Sequence, residues 1–285
     1  MSHSSGRAAT GSIITAVSQR QHDRLSSPSG AEHSGHGSRR KLKGAILHLI
    51  GPTTTGKTSL AVLLAGQRPV EALNSDKFHC YNGFTQGTGS EDLGLNSFSA
   101  THLYRFLGPS QPMLVEGDYL RLALPILQRA HAKGSTIVID GSSFSYNSAL
   151  LQALAPGPEK YIPIAISWND IDDCRGAIAH RVANLDWEVV LHETRAALSL
   201  HGSRCYVLSK GVVHKHALRY LEGSISLDAL KLEVQESILE IVRNQTERYM
   251  HLNVPTRWAR RPSDLAELAA FAIDRVDEVT MGASG

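Results

Sequence analysis

A glycine-rich loop between an apolar run and a helical pattern limits the possible folds more than any other part of this 285-residue sequence. Residues 45–50 form the apolar run AILHLI, and Gly51-Pro52-Thr53-Thr54-Thr55-Gly56-Lys57-Thr58 follows directly. This octapeptide matches G-x-x-x-x-G-K-[ST], in which backbone N–H groups surround phosphate oxygens, the lysine adds a charge and the hydroxyl can ligate Mg²⁺. A chance match in a turn is the alternative, but a preceding strand and a following helix are the context that the motif requires. The sequence therefore predicts a loop that binds a phosphate chain, and leaves the reaction open.

Strand and helix patterns alternate after this loop. Short apolar runs predict three more buried strands, at 70–74, 136–139 and 161–168. Helical spacing predicts helices at 56–65, 115–133 and 145–154 and, with a break near 202–213, from 169 to about 250. Residues 80–112 are rich in Gly, Ser, Thr and Asn and predict a long functional loop with little regular structure. The alternation predicts an α/β fold, a P-loop NTPase-like parallel sheet flanked by helices, with an α-rich C-terminal part.

Composition divides the chain into three parts. Residues 1–43 are rich in Ser, Gly and His, hold seven Lys/Arg against two acids, and predict a disordered basic extension. Residues 44–250 are the predicted P-loop domain, and 251–285 a C-terminal tail with one predicted helix. Because the whole chain has a net charge of +2 and the extension about +5, residues 44–285 are slightly acidic. An acidic folded part disfavours a long RNA as the main partner.

The sequence also limits the cellular setting. No stretch approaches about 18 uninterrupted apolar residues, so no membrane-spanning helix and no membrane partner are expected. The three cysteines, Cys80, Cys174 and Cys205, are scattered and fit a reducing compartment. No secretory leader is visible, so we expect a cytoplasmic protein, with a cleaved organelle leader within 1–43 as the alternative.

Two acidic residues follow predicted strands beside the glycine-rich loop. Asp76 comes after the strand at 70–74, where a carboxylate can ligate Mg²⁺ or act as a general base, or simply cap a helix. Asp140 ends the run at 136–139 and is either a metal-organising acid or a turn residue before Gly141. Asp140 keeps a small-molecule kinase or ATPase open as a function.

Several segments together resemble the isopentenyltransferase family. They are Gly51–Ala61, Asn74–Gly83, Gly87-Thr88, His102–Ser110, Ile139–Ser142, His180–Val182, Tyr220–Asp228 and Arg243–Tyr249. The resemblance covers about residues 44–250. The family comprises tRNA dimethylallyltransferases and the adenylate isopentenyltransferases that make cytokinins, and the sequence is most similar to the bacterial adenylate type.

The resemblance implies a chemistry for these residues. In this family the N6 amine of an adenine attacks C1 of dimethylallyl diphosphate as diphosphate leaves. Asp76 is then the catalytic base that accepts the N6 proton, and Thr58 partly holds the cofactor Mg²⁺. The implied diphosphate ligands are Gly51, Thr53, Thr54, Thr55, Gly56, Lys57, Thr58, Ser142 and Arg181, and the implied acceptor ligands are Ser75 and Thr88. Simpler roles remain open: Arg181 in an ion pair, Thr88 within its loop, Ser142 as a helix cap.

The acceptor is predicted from what the sequence lacks. The tRNA-modifying branch carries a large helical insertion after the third strand and its helix, whereas here the strand at 161–168 follows the helix at 145–154 almost at once. With the acidic balance, this predicts a free adenine nucleotide (AMP, ADP or ATP) as acceptor, a role in cytokinin biosynthesis and no stable nucleic-acid partner. The alternatives are a tRNA dimethylallyltransferase, a prenyltransferase of this fold that acts on another nucleotide-like amine, a small-molecule kinase or ATPase, and a non-catalytic nucleotide-binding module. Val212 and Ile241, both apolar, predict a plain dimethylallyl donor rather than a hydroxylated one.

Overall fold

A computed structural model of the chain describes residues 44–90, 94–154, 160–252, 258–260 and 265–281. The predicted extension 1–43 lies outside the described residues. Among the described residues no helix is long and apolar enough to cross a membrane. The three cysteines are buried and form no disulfide bond with one another.

Six strands within the described residues form one parallel sheet. They are β1 (Ile46–Ile50), β2 (Val70–Asn74), β3 (Ala100–His102), β4 (Thr136–Asp140), β5 (Tyr161–Ser167) and β6 (Trp258–Arg260). Their order across the sheet is β3-β2-β4-β1-β5-β6. Because β4 lies between β1 and β2 and all three are parallel, their carboxyl ends meet at one edge. The glycine-rich loop, Asp140 and Asp76 leave the sheet at that edge.

Nine described helices surround and extend this sheet. They are α1 (Lys57–Ala65), α2 (Glu116–Lys133), α3 (Phe144–Leu154), α4 (Ile171–Ala183), α5 (Trp187–His201), α6 (Tyr206–Lys210), α7 (Val212–Leu221), α8 (Leu227–Met250) and α9 (Leu265–Met281). Short 3₁₀ turns lie at Leu95–Ser97 and Gly202–Arg204.

Apolar side chains cover both faces of the sheet. On one face α2 and α3 pack against alternate residues of β1 and β4, among them Ile46 and Ile137. On the other face α1 and α9 pack against Leu47 and Val138, so α9 belongs to the same core as the sheet. A separate apolar cluster joins α4, α5, α7 and α8 into the helical part of the chain. β1 is buried along its whole length and, apart from His48, is apolar, because helices cover both faces of the sheet.

The predicted fold class is confirmed: a parallel sheet is flanked by helices and followed by an α-rich part. The structure differs from the sequence prediction in the segment 80–112, which contains β3 as a parallel neighbour of β2. This strand has three residues, Ala100, Thr101 and His102, none of them fully buried. A short polar edge strand has no apolar periodicity, so sequence patterning does not reveal it.

Candidate functional site

Two adjoining cavities open at the carboxyl edge of the sheet, each with a volume of about 530 Å³. The first, here called the phosphate-side cavity, is lined by the glycine-rich loop, the start of α1 and Asp140. The second, the apolar-side cavity, is lined by Phe144, Val212, Ile238 and Ile241 and by polar residues at its rim. Both cavities share the lining residues Thr53, Asp76, Gln86, Thr88, Ser142, Arg181 and Leu185. Their sizes are typical of small-molecule sites.

The glycine-rich loop depends on glycine at its first position. Gly51 has a φ of 146°, and a Cβ there would lie 2.1 Å from the carbonyl oxygen of Ile166. No other residue fits so close to the neighbouring strand. The loop then leads into α1, whose first residues, Lys57 and Thr58, line the phosphate-side cavity. The N–H groups and positive dipole end of α1 favour an anion at this place.

Lys57 is buried at the base of the loop. Its side-chain Nζ donates to the carbonyl oxygens of Gly51 at 3.0 Å and Pro52 at 2.5 Å. Burial lowers the pKa of Lys57 to about 8, although two nearby carboxylates favour its charged form. The Lys57 side chain is therefore mostly protonated at neutral pH and adds positive charge to the cavity.

Asp76 is held by a tight turn after β2. The side-chain Oδ1 of Asn74 accepts from the backbone N–H of Asp76 at 2.7 Å and fixes this turn. Ser142 Oγ donates to Asp76 Oδ2 at 2.5 Å, and the Phe78 N–H donates to Oδ1 at 2.8 Å. Burial opposes ionisation of the carboxyl, but the neighbouring His79 and these hydrogen bonds outweigh it and hold the pKa of Asp76 below its usual value. Asp76 is thus an oriented carboxylate at the junction of the two cavities.

Gly141 allows this arrangement. It has a φ of 156°, and a Cβ at Gly141 would lie 2.3 Å from the backbone nitrogen of Asp76. The end of β4 can therefore approach the turn after β2 closely, and Ser142 comes within reach of Asp76.

Asp140 and Thr58 lie side by side in the wall of the phosphate-side cavity. Thr58 Oγ1 donates to Asp140 Oδ2 at 2.7 Å. Asp140 Oδ1 is buried and has no hydrogen-bond partner among the described residues. Burial raises the pKa of Asp140, and the Lys57 ammonium opposes that rise. A buried carboxylate oxygen beside a hydroxyl is the kind of oxygen pair that Mg²⁺ prefers, so these two residues fit this ion.

The loop 84–90 forms the wall shared by both cavities. Thr88 Oγ1 lies within hydrogen-bond distance of the carbonyl oxygens of Phe84 at 3.1 Å and Thr85 at 3.2 Å. Arg181 lies against the same loop, because a Cβ on Gly89 would be only 2.1 Å from its guanidinium nitrogen.

The structure brings most of the predicted site residues together. Those that line one or both cavities are Thr53, Thr54, Gly56, Lys57, Thr58, Asp76, Thr88, Ser142 and Arg181. Gly51, Thr55 and Ser75 are buried and line neither cavity. Gly51 and Thr55 shape the loop, since Thr55 Oγ1 donates to the carbonyl oxygen of Pro52 at 3.0 Å. Ser75 lies beneath Gly141, away from the cavities. The individual ligand roles stay predictions.

Gln245 belongs to the site although it was not predicted. Its Oε1 accepts from the backbone N–H of Thr53 at 2.8 Å, and its Nε2 donates to the carbonyl oxygen of Ser142 at 2.8 Å. Gln245 therefore ties α8 to both the glycine-rich loop and the end of β4. It lies within the segment Arg243–Tyr249 noted above, but a polar residue on a long helix has no sequence signal that separates it from a solvated surface residue.

Comparison with known proteins gives a family for this site. Residues 45–154 match the family described as Isopentenyl transferase. Among curated proteins, the tRNA dimethylallyltransferase 2 of Geotalea daltonii is 33% identical over 121 residues, which are 42% of this chain and 36% of that protein. The tRNA dimethylallyltransferase of Oleidesulfovibrio alaskensis is 30% identical over 138 residues, 48% of this chain and 45% of that protein. The chain thus spans less than half the length of these relatives.

Solved structures share the fold. The tRNA isopentenylpyrophosphate transferase of Bacillus halodurans superposes with a TM-score of 0.69 at 16% identity, covering 85% of this chain and all of that one. The tRNA delta(2)-isopentenylpyrophosphate transferase of Staphylococcus epidermidis has a TM-score of 0.69 at 13% identity, covering 83% of this chain and 99% of that one. At these identities the likeness concerns the fold alone.

These comparisons correct the predicted acceptor. The relatives and solved structures above are described as tRNA enzymes, whereas a free adenine nucleotide, cytokinin biosynthesis and the absence of a nucleic-acid partner were expected. Those expectations are wrong. Net charge over 44–285 averages the whole surface, while the relevant charges are local: Lys77, Arg181 and Arg248 all line the apolar-side cavity.

The family itself does not depend on the acceptor. The matched segment 45–154 contains the glycine-rich loop, Asp76 and Ser142, which meet at the two cavities. Together with the shared fold, this match makes residues 45–154 of the chain similar to the isopentenyl transferase family.

Proposed function

We propose that the chain transfers a dimethylallyl group from dimethylallyl diphosphate to the N6 amine of an adenine in tRNA, with release of diphosphate. The observation that carries the proposal is the place of Asp76, whose oriented carboxylate lines both the phosphate-side and the apolar-side cavity. A base at such a junction can reach an amine that attacks a carbon joined to a bound diphosphate. The names of the relatives supply the acceptor class.

The phosphate-side cavity suits the diphosphate. The N–H groups at the start of α1, the Lys57 ammonium and the Arg181 guanidinium present positive charge to it. These groups stabilise the negative charge that grows on the leaving diphosphate. Thr58 and Asp140 would hold Mg²⁺, which would supply further positive charge to the leaving diphosphate.

The apolar-side cavity suits the prenyl tail and the adenine. The side chains of Val212, Ile238 and Ile241 line this cavity and carry no group that could hydrogen-bond a hydroxyl. A hydroxylated donor would bury its hydroxyl there at a cost of about 1–3 kcal/mol, so we expect the plain dimethylallyl donor to react faster.

Asp76 takes up the proton of the reaction. The N6 lone pair is delocalised into the purine ring, so N6 is a weak nucleophile and gains from a positioned base. The N6–C1 bond forms as the C1–O bond to diphosphate breaks, and one N6 proton moves to Asp76. Hydrogen bonds from Ser142 and the Phe78 N–H keep the carboxylate ionised and aimed until then.

The test is nucleoside analysis by mass spectrometry. Unmodified tRNA transcripts are incubated with the full chain, dimethylallyl diphosphate and Mg²⁺, then digested to nucleosides. We expect an adenosine that gains C5H8 with the wild type and not with Asp76→Asn. A parallel reaction also contains ATP, and loss of ATP to ADP without any prenylated adenosine would indicate a kinase or ATPase and contradict the proposal.

A further inference from the structure

Polar side chains of the helical part of the chain contact the loop 84–90. We propose that Glu193 on α5 and His214 on α7 are positioning residues that fix this loop at the cavities and thereby set the affinity for the acceptor. The effect on acceptor affinity rests on the proposed function, whereas the fixing of the loop does not.

Glu193 holds the loop by two hydrogen bonds at one residue. Its Oε1 accepts from the backbone N–H of Thr85 at 2.8 Å and from the Thr85 hydroxyl at 2.6 Å. Hydrogen bonds to a carboxylate are stronger than those between neutral groups. Residues 86 to 89, which follow Thr85 directly, all line a cavity.

His214 supports the loop by contact. Its side chain is fully buried, and a Cβ on Gly87 would lie 2.4 Å from its Nε2. The backbone of the loop therefore packs directly on the imidazole ring. The ring also meets Phe84, at the start of the loop, edge to face with centroids 4.8 Å apart. The position of the ring thus sets how far the loop stands from the helices.

A hydrogen bond fixes the orientation of the imidazole. The Thr194 hydroxyl donates to the carbonyl oxygen of Val190 at 2.7 Å, so its oxygen accepts from His214 Nδ1 at 3.0 Å. His214 Nε2 then faces Glu193 Oε2 at 3.6 Å. Burial lowers the pKa of His214 to about 4, so the ring is neutral at neutral pH. The two positioning residues are therefore neighbours, and both hold the same loop.

Substitutions of Glu193 separate positioning from general stability. Glu193→Ala removes the acceptor for Thr85, and Glu193→Gln keeps an oxygen that can accept from it. We expect Glu193→Ala to raise the KM for tRNA about 10-fold to 100-fold, and Glu193→Gln to restore most of the affinity. The KM for dimethylallyl diphosphate should change little, because the glycine-rich loop is not held by Glu193. Glu188→Ala, an exposed acid on the same helix, is the matched control.

All assays are run well below the melting temperature of each variant. An unchanged KM for tRNA in Glu193→Ala would overturn the proposal, as would an equal rise of both KM values. Gly87→Ala tests the contact with His214 without altering a core residue, and its Cβ should displace the loop and raise the KM for tRNA in the same selective way.

Hydrogen exchange tests the loop without reference to any acceptor. In Glu193→Ala the backbone amides of residues 84–90 should exchange faster than in the wild type, and those of β4 should not. Unchanged exchange in 84–90 would overturn the proposal whatever the acceptor is. A wild-type chain that prenylates no tRNA would overturn the proposed function alone, and faster exchange of the loop would still support its fixing by Glu193.

Discussion

Acidification should destabilise the fold through a buried histidine beneath the site. His48 on β1 is fully buried, its Nε2 donating to Asn147 Oδ1 at 3.0 Å and its Nδ1 accepting from the Tyr161 hydroxyl at 2.7 Å. Burial lowers the pKa of His48 from 6.5 to about 4, with the hydrogen bond to Asn147 opposing the change. Asn147 in turn donates to the carbonyl oxygen of Gly141 at 3.1 Å, which links this network to the backbone between Asp140 and Ser142.

The sign and size of the effect follow from these pKa values. The unfolded chain protonates His48 near pH 6.5 and the folded chain only near pH 4, so unfolding takes up a proton between these values. The stabilisation is complete above pH 6.5 and is lost as the pH falls towards 4. The free energy of unfolding should drop by about 2 kcal/mol at pH 5 and by about 3 kcal/mol near pH 4 from His48 alone.

Urea unfolding of the wild type and His48→Gln at pH 7 and pH 5 measures the contribution of His48 to this pH dependence. The difference in free energy of unfolding between the two pH values should be about 2 kcal/mol smaller in the variant. Part of the pH dependence of the free energy of unfolding should remain in His48→Gln, because burial also lowers the pKa of His214 to about 4. His192→Gln, an exposed histidine on α5, is the control. Equal pH dependence in the wild type and His48→Gln would refute the reasoning.

Three further predictions concern the site. Asp76→Asn should lower kcat about 10²-fold to 10⁴-fold while donor binding is kept, because it removes a positioned base; near-normal turnover would remove Asp76 from the mechanism. Thr58→Ala should raise the Mg²⁺ concentration needed for half-maximal activity, and an unchanged Mg²⁺ titration would argue against a role beside Asp140. Gln245→Ala should raise the KM for dimethylallyl diphosphate about 5-fold to 10-fold, since the Thr53 N–H and the Ser142 carbonyl lose their shared partner; an unchanged KM would mean that the loop keeps its shape without α8.

The parts of the fold that sequence could predict are encoded locally. The strand, glycine-rich loop and helix at 46–65 form one continuous pattern, and Asp76 and Asp140 each follow an apolar run directly. Parallel strands bring such strand ends to one edge, so their meeting could be expected. Sequence therefore indicated the residues that line the phosphate-side cavity.

The remaining contacts depend on how distant elements pack. Gln245 meets Thr53 across 192 positions of the chain, and Glu193 meets Thr85 across 108. Each is a polar residue on an amphipathic helix, and only the packing of α5 and α8 decides that it faces the site. The acceptor was predicted wrongly for a related reason, because net charge carries no information about which cations line a cavity.

A competition experiment tests the central claim most directly. Unmodified tRNA and AMP are offered together at equal adenine concentration, with Mg²⁺ and a limiting amount of dimethylallyl diphosphate. The RNA and nucleotide fractions are then analysed separately by mass spectrometry. We predict that the prenyl group enters the RNA fraction and is lost from it in Asp76→Asn. Prenylated AMP with unmodified RNA would contradict the account.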